Sequence, residues 1–429
     1  MQLQRSDYLQ NKILLFIGTF FIFNVVASIF RYNKMPEWLS LLQGLFIFIC
    51  FFFLLVRFVF NSKLFQDQFL TRIIILGGYF CRGLIAIINE YIPLLPHLSD
   101  VAYYHNLGIE YSRELSIHGG GFGASAFGSY FIGAIYLLFG SSPLVMNILN
   151  SLVYSFTIII LIKICRELDF NNFWVVALLG SILPSSILYI PVLLRESIFL
   201  FFSMYYFYQM IILFGKEKKG FLNHIVVVSL ILLCSLIRPQ IFPIFLLIYL
   251  TTLIYYQNGP FKVISCILLF IFMPLISILD FALFQFIHSD LLNLHYFQMY
   301  RNAFSDLPSA YLVNIAYKDW FDFLSYIPKF IMYFLFAPFP WISSNYKYFM
   351  ATIDSLITMF ITVTSLFIVF YNANRWKKHL FPVLIGLLIL VVPFAMIEAY
   401  PMGAVRHRMI VTLILLPVLT CIIPRRIKI

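Results

Sequence analysis

Polar residues interrupt this chain; they do not alternate with apolar ones. Apolar runs recur at 13–30, 38–60, 73–92, 145–162, 173–191, 196–215, 221–237, 240–257, 263–283, 351–371, 380–396 and 409–424. Each is of the order needed to cross a hydrocarbon layer about 30 Å thick. Lipid offers the backbone no hydrogen-bond partners, so such runs must be helices that satisfy themselves. The pattern predicts an all-α fold: a polytopic transmembrane helical bundle of about twelve spans, forming a single integral membrane domain over 1–429. Two further apolar pieces, 124–139 and 328–341, are short and broken by Gly or Pro, and they sit inside the two long polar stretches, 93–144 and 284–350.

Charge decides how these pieces are threaded. Lys and Arg collect in short cytoplasmic loops, and the clusters Lys163/Arg166, Lys216–Lys219, Arg375–Lys378 and Arg425–Lys428 all share one side only if neither short piece crosses. Arg5, Lys12, Lys63, Arg72 and Lys262 then join them. The expected arrangement has both termini cytoplasmic and the two long stretches outside. The two short pieces become membrane-parallel segments on the outer face, flanking a roofed cavity. The run at 13–30 follows Arg5 and Lys12 as a signal peptide would. It is too long for the apolar core of one and lacks a cleavage site, so it is read as an uncleaved first span in the plasma (cytoplasmic) membrane.

Composition agrees and narrows the function classes. Hydrophobic residues make up 62% of the chain and charged residues 11%, against roughly a quarter charged in soluble domains. The net charge of +11 is scattered between apolar runs, so positive-inside threading and anionic lipid explain it better than nucleic acid, which is not expected as a partner. Neither polar stretch contains any of the six cysteines, so no disulfide framework or Cys-based metal site is implied.

Chemistry is then sought where ionisable groups interrupt apolar sequence. Asp100 leads the first polar stretch, with Tyr104 and His105 one turn on. An outward carboxylate here suits a general base or a ligand to a divalent ion; Ser99-Asp100 is also a good helix N-cap pair. Glu110 and Glu114 are spaced to line the exposed face of the same helix. Arg195-Glu196 falls in the middle of the apolar stretch from 173 to 214, at a predicted outer turn approached through Pro184 and Pro191. Such a pair is either a snorkelling hinge or a functional site. Arg238-Pro239 closes the next outer turn, and Arg406-His407-Arg408 opens the last span. Arg195, Arg238, Arg406 and Arg408 thus run against the positive-inside trend. A guanidinium matches phosphate oxygens in a bidentate fork, so these arginines suggest a phosphate-bearing lipid ligand. Arg57 and Arg82 receive no role. The glycines at 119, 120, 121 and 123 lack a preceding strand and a following Lys-Ser/Thr pair, so they read as a hinge and no nucleotide site. The second polar stretch holds His288, Asp290, His295, Arg301, Asp306, Lys318, Asp319 and Asp322 without a metal-ligand spacing.

Several of these pieces occur in an order that resembles the GT-C class of membrane glycosyltransferases, in particular bacterial proteins similar to protein O-mannosyltransferases (family 39-like). They are SDVAYYHNLG, YLLFGSS, LLRES, IRP, FAPFPW and GAVRHR, from about residue 90 to the end. The resemblance implies a core over 73–429 preceded by two extra spans in 1–72. It also implies Asp100 as the catalytic carboxylate, with Tyr104, His105, Arg195, Glu196, Arg238, Arg406 and Arg408 around the substrate. The activity implied is transfer of a sugar from a polyprenyl-phosphate-linked donor to a glycan or lipid-linked acceptor on the outer face, in cell-envelope or exopolysaccharide assembly. Many members of that family carry an Asp-Glu or Asp-x-Asp pair where this chain has Asp100-Val101, which leaves a divalent metal possible and unassigned. Two other readings stay open: a polysaccharide polymerase or ligase acting on lipid-linked repeat units, and a flippase for lipid-linked oligosaccharide. A transporter would favour internal repeats and mid-span charges; no repeat is evident and such charges are few.

Overall fold

A computed structural model of the protein describes residues 36–95, 99–114, 124–170, 172–215, 221–256, 294–307, 310–342, 346–371 and 373–420, and every regular element among them is helical. The first five helices are α1 (Glu37–Asn61), α2 (Phe69–Tyr91), α3 (Ser99–Glu114), α4 (Ala124–Phe139) and α5 (Pro143–Glu167). Then come α6 (Phe173–Ile182), α7 (Pro184–Tyr189), α8 (Glu196–Gly215), α9 (Phe221–Ile237) and α10 (Ile241–Tyr256). The second polar stretch contributes α11 (Leu294–Asn302), α12 (Trp320–Ser325) and α13 (Ile327–Phe336), and the chain finishes with α14 (Tyr346–Tyr371), α15 (Ala373–Ile397) and α16 (Pro401–Leu419). Six of these, α1, α2, α5, α8, α14 and α16, are long and apolar enough to cross a membrane. Shorter apolar helices include α6, α9, α10 and parts of α4 and α15.

The core lies around α5 and α16, whose apolar stretches are mostly buried by their neighbours. The outer helices present large apolar side chains outward: Phe53 on α1, Leu70 on α2, Leu222 on α9 and Phe367 on α14 are all exposed. Burial inside and apolar surface outside mark a membrane-embedded helical protein.

Helix directions follow from cross-contacts. Ser40 and Ser142 share a hydrogen bond at 2.7 Å and Phe58 packs on Phe156, so α1 and α5 run parallel. Tyr79 bonds the Phe48 carbonyl and Tyr91 the Glu37 carbonyl, so α2 returns antiparallel. Ser197 bonds Asn150 and Lys163 lies over Tyr208, aligning α8 with α5. The pairs Ser355/Arg408, Thr358/Thr412 and Ser365/Leu415 rise together, so α14 and α16 are parallel. One end of the bundle thus gathers the start of α5, α8 and α16, the finish of α2 and α9, and Asp100. The other end carries Lys63, Arg72, Lys163 and Arg166, and α8 stops at Gly215 just before the Lys216–Lys219 run.

Two expected spans take a different form. The run at 173–191 is not one helix: Leu183 is extended (ψ 124°) and α7 restarts at Pro184. A proline excludes the helical conformation from the residue before it and lacks the N–H that would continue the ladder, yet suits the first position of a new helix. The last span does not begin at 409. α16 starts at Pro401 and ends at Leu419, so Arg406-His407-Arg408 lies inside the helix and does not precede it. The expected spans 13–30 and 263–283 lie outside the described residues, as do the glycines at 119–123, His288 and Asp290, the Lys216–Lys219 run and the basic tail.

The first polar stretch folds as an antiparallel hairpin. Tyr111 meets Tyr130 edge to face and His105 meets Tyr136, fixing α3 against α4. Close approach depends on Gly133, where a Cβ would come within 2.3 Å of the Tyr111 ring. The hairpin leaves α2 and enters α5 at the same end of the bundle, and α3 is too polar to cross alone.

Candidate functional site

Asp100 sits in the first turn of α3, and its Oδ2 accepts from Arg406 Nη1 at 2.8 Å. The carboxylate keeps 44% of its side-chain surface exposed while Arg406 keeps 12%, so the pair lies at the rim of a buried polar group. Behind it, Arg406 Nε lies 2.7 Å from Glu196 Oε1. That is close enough for an ion pair but off the line of a hydrogen bond. Glu196 is buried at the start of α8 and also binds Arg238 through an Nη2–Oε1 contact. A chain of alternating charge therefore runs inward: Asp100, Arg406, Glu196, Arg238.

The elements that hold this chain are fixed by a residue of no obvious promise in sequence. Asn150, buried on α5, donates to the carbonyls of Val192 (2.8 Å) and Leu194 (3.0 Å) and accepts from Ser197 Oγ at 2.6 Å. These three bonds set the turn that delivers Arg195 and Glu196. Arg195 Nη1 donates to the Ile237 carbonyl at 2.8 Å, tying that turn to the one carrying Arg238, and its guanidinium lies 5.7 Å from the centre of the Tyr104 ring. Tyr104 is buried, and burial raises its hydroxyl above the ordinary phenol range. Burial pushes the Arg238 guanidinium down to about 10, with the Glu196 carboxylate opposing; it stays cationic at neutral pH. Phe199 covers it at 4.9 Å.

Among the described residues, three guanidinium groups (Arg195, Arg238, Arg406) meet two carboxylates (Asp100, Glu196), an excess of one positive charge. Glu196 Oε2 and Arg238 Nε are buried without a hydrogen-bond partner among them. The group is polar, incompletely satisfied and open at Asp100. A small cleft lined by Gly128, Phe131, Ile132, Met146 and Leu194 runs beside Arg195. An apolar cavity of about 280 Å³ between α6 and α14, lined by Leu179, Ile182, Phe360 and neighbours, contains no charged side chain.

Two residues grouped with these in sequence lie elsewhere. Arg408 points the other way, fully buried: it donates to the Phe334 and Ala337 carbonyls at the end of α13, to Ser355 Oγ at 2.6 Å and to Asp354 at 3.2 Å. Asp354 in turn accepts from the Ser185 backbone at 2.8 Å. Successive residues of a helix are about 100° apart, so Arg406 and Arg408 cannot share a face. His105 fastens the α3–α4 hairpin through its 2.8 Å bond with Tyr136, and burial lowers its pKa.

The structure also brings in groups to which the sequence assigns no role. Glu398, in the corner between α15 and α16, accepts from Tyr400 N–H and pairs with His407 Nδ1 at 2.7 Å. Arg301 is buried and donates to the carbonyls of Leu312, Tyr311, Ala395, Met396 and Glu398, closing the end of α15. Glu398, Asp354 and Asn150 each stand as a polar residue within or beside an apolar run, which is the signal that marks intramembrane function or pairing. Arg82, unassigned in sequence, is buried in α2 over the Tyr154 ring and bonds Ser155 and the Ser181 carbonyl.

For a divalent ion the fit is poor. Among the described residues no three His, Cys, Asp or Glu side chains gather as ligands, and the nearest charge to Asp100 is a guanidinium that a metal would have to displace. Comparison with protein-family models, with curated proteins and with solved structures gives no match.

Proposed function

We propose that this protein is a membrane glycosyltransferase of GT-C type, moving a sugar from a polyprenyl-phosphate-linked donor to an acceptor hydroxyl at the Asp100 end of the bundle, on the outer face of the membrane. The observation that carries the reading is the excess of guanidinium over carboxylate behind a half-exposed Asp100. A phosphate leaving group gains negative charge as the sugar departs, and preorganised cations at that point lower the barrier. Arg195 and Arg406 are the groups nearest the rim, and Arg238 backs them. Asp100, fixed by Arg406, accepts a hydrogen bond from the acceptor hydroxyl and aims it at the anomeric carbon. No nucleotide or metal enters any step.

A second reading has an observation of its own. Asp100 is already engaged by Arg406, while the arginines outnumber the acids, as suits a polymerase or ligase that relies on cations to release a lipid diphosphate. A third, the flippase, predicts relocation without cleavage. Purified protein in liposomes with a radiolabelled polyprenyl-phosphate sugar separates these. Transferase or ligase activity releases the carrier phosphate from the sugar, and intact lipid appearing in the opposite leaflet would overturn both in favour of the flippase. Activity that survives loss of Asp100 and fails without Arg195 or Arg406 would select the polymerase or ligase.

A further inference from the structure

Beside the charge chain stands a pair that the transfer step has not used. Glu398 is held in three ways: its Oε1 accepts from Tyr400 N–H at 3.3 Å, its Oε2 meets His407 Nδ1 at 2.7 Å, and Gly403 leaves room for it, since a Cβ there would lie 2.6 Å from Oε1. His407 packs against the Phe394 ring at 5.4 Å and keeps 23% of its side chain exposed. A carboxylate bonded to Nδ1 fixes the imidazole's orientation and tautomer and supports the charged form, which is the arrangement that turns an imidazole into a proton acceptor at its other nitrogen. His407 is also adjacent in sequence to Arg406.

Asp100 is already engaged: its Oδ2 accepts from Arg406 Nη1 at 2.8 Å. Imidazole is the side chain whose ordinary pKa lies near neutral pH.

We infer that His407, positioned by Glu398, is the proton acceptor at this end of the bundle; the inference rests on the transferase reading above. As the acceptor oxygen forms its bond to the anomeric carbon, the carbon–oxygen bond to the carrier phosphate breaks and its electron pair leaves with the phosphate. The acceptor's proton passes to His407 Nε2. Glu398 is a positioning residue and touches no substrate.

Two measurements test this and separate it from the transferase reading. In the liposome transfer assay, His407→Gln, which keeps a donor for Glu398, is expected to lower kcat on the order of 100-fold with KM for the lipid donor unchanged. Glu398→Gln and Gly403→Ala are expected to displace the acid limb of the kcat–pH profile, while Asp100→Asn leaves that limb in place. An unaltered kcat and limb in His407→Gln would overturn the assignment. Independently of activity, carbethoxylation by diethyl pyrocarbonate, mapped by peptide mass spectrometry across pH, is expected to mark His407. Its midpoint should move to lower pH in Glu398→Gln, because loss of the carboxylate disfavours the imidazolium. A midpoint that does not move, or a His407 that is not marked, would overturn the pair itself. A midpoint that moves as expected in Glu398→Gln, with wild-type protein that cleaves no donor, would instead overturn the transferase reading and leave the pair as an acid–base site for another reaction.

Discussion

Arg408 enters an apolar helix with five donors to satisfy, and four acceptors from two other parts of the chain converge on it: the Phe334 and Ala337 carbonyls, and Ser355 and Asp354. Replacing it by Met leaves the Asp354 carboxylate buried and uncompensated, so Arg408→Met should cost about 3–5 kcal/mol, read as a lowered unfolding temperature in detergent. The double variant Arg408→Met/Asp354→Leu should recover most of that loss, since an absent pair costs less than half of one. Arg301 makes the same kind of closure at the end of α15, with five carbonyls and the Phe330 ring at 4.3 Å. That these arginines are internal was not legible in sequence. Arg406 and Arg408 look alike there, and only the partner carbonyls, set by tertiary folding, tell the outward-reaching guanidinium from the buried one. Asp100 draws notice in the sequence because it stands alone at the start of a polar stretch. Asn150 and Glu398 do not, because their importance lies in which backbone groups and which imidazole the fold brings to them.

At the scale of elements, the hairpin of α3 and α4 couples the site to pH. His105 shares its bond with Tyr136 in a buried position, and burial pushes the imidazole below its ordinary pKa. The unfolded chain therefore takes up a proton at higher pH than the folded one. Between the two values the unfolded state binds more protons, so stability falls as pH falls; above about 6.5 both states are neutral and the effect vanishes. Amide exchange in α3 and α4, corrected for its intrinsic pH dependence, should quicken as the pH falls below about 6.5. His105→Gln should flatten that response, and equal acceleration in the variant would assign it to another group. Element positions were largely readable from the apolar runs, because lipid leaves the backbone no choice but helix. The break at Leu183–Pro184 and the early start of α16 were missed for one reason: tertiary partners decide how long a helix continues. Asp354 accepts the Ser185 N–H at the start of α7, and the carbonyls of α13 let α16 carry Arg408 within it.

The molecule as a whole has two unlike ends. One carries Asp100, the arginine-carboxylate chain and the Glu398–His407 pair; the other carries Lys63, Arg72, Lys163 and Arg166. The charge argument from sequence anticipated this segregation, because lysines and arginines were counted between apolar runs whose ends alternate. It could not anticipate that residues 306 positions apart, Asp100 and Arg406, would meet at 2.8 Å. Single cysteines at Asp67 and at Ser141, on an otherwise cysteine-free chain, should react with an impermeant maleimide from opposite sides of the membrane, Ser141→Cys from outside. Labelling of both from one side would undo the topology and the outward site with it. The most direct measurement is sugar transfer by Asp100→Asn, in protein verified to be correctly inserted and folded. The expected result is a loss on the order of 100-fold, since Asp100 orients the reacting hydroxyl. Transfer at the wild-type rate would contradict Asp100 as the essential carboxylate.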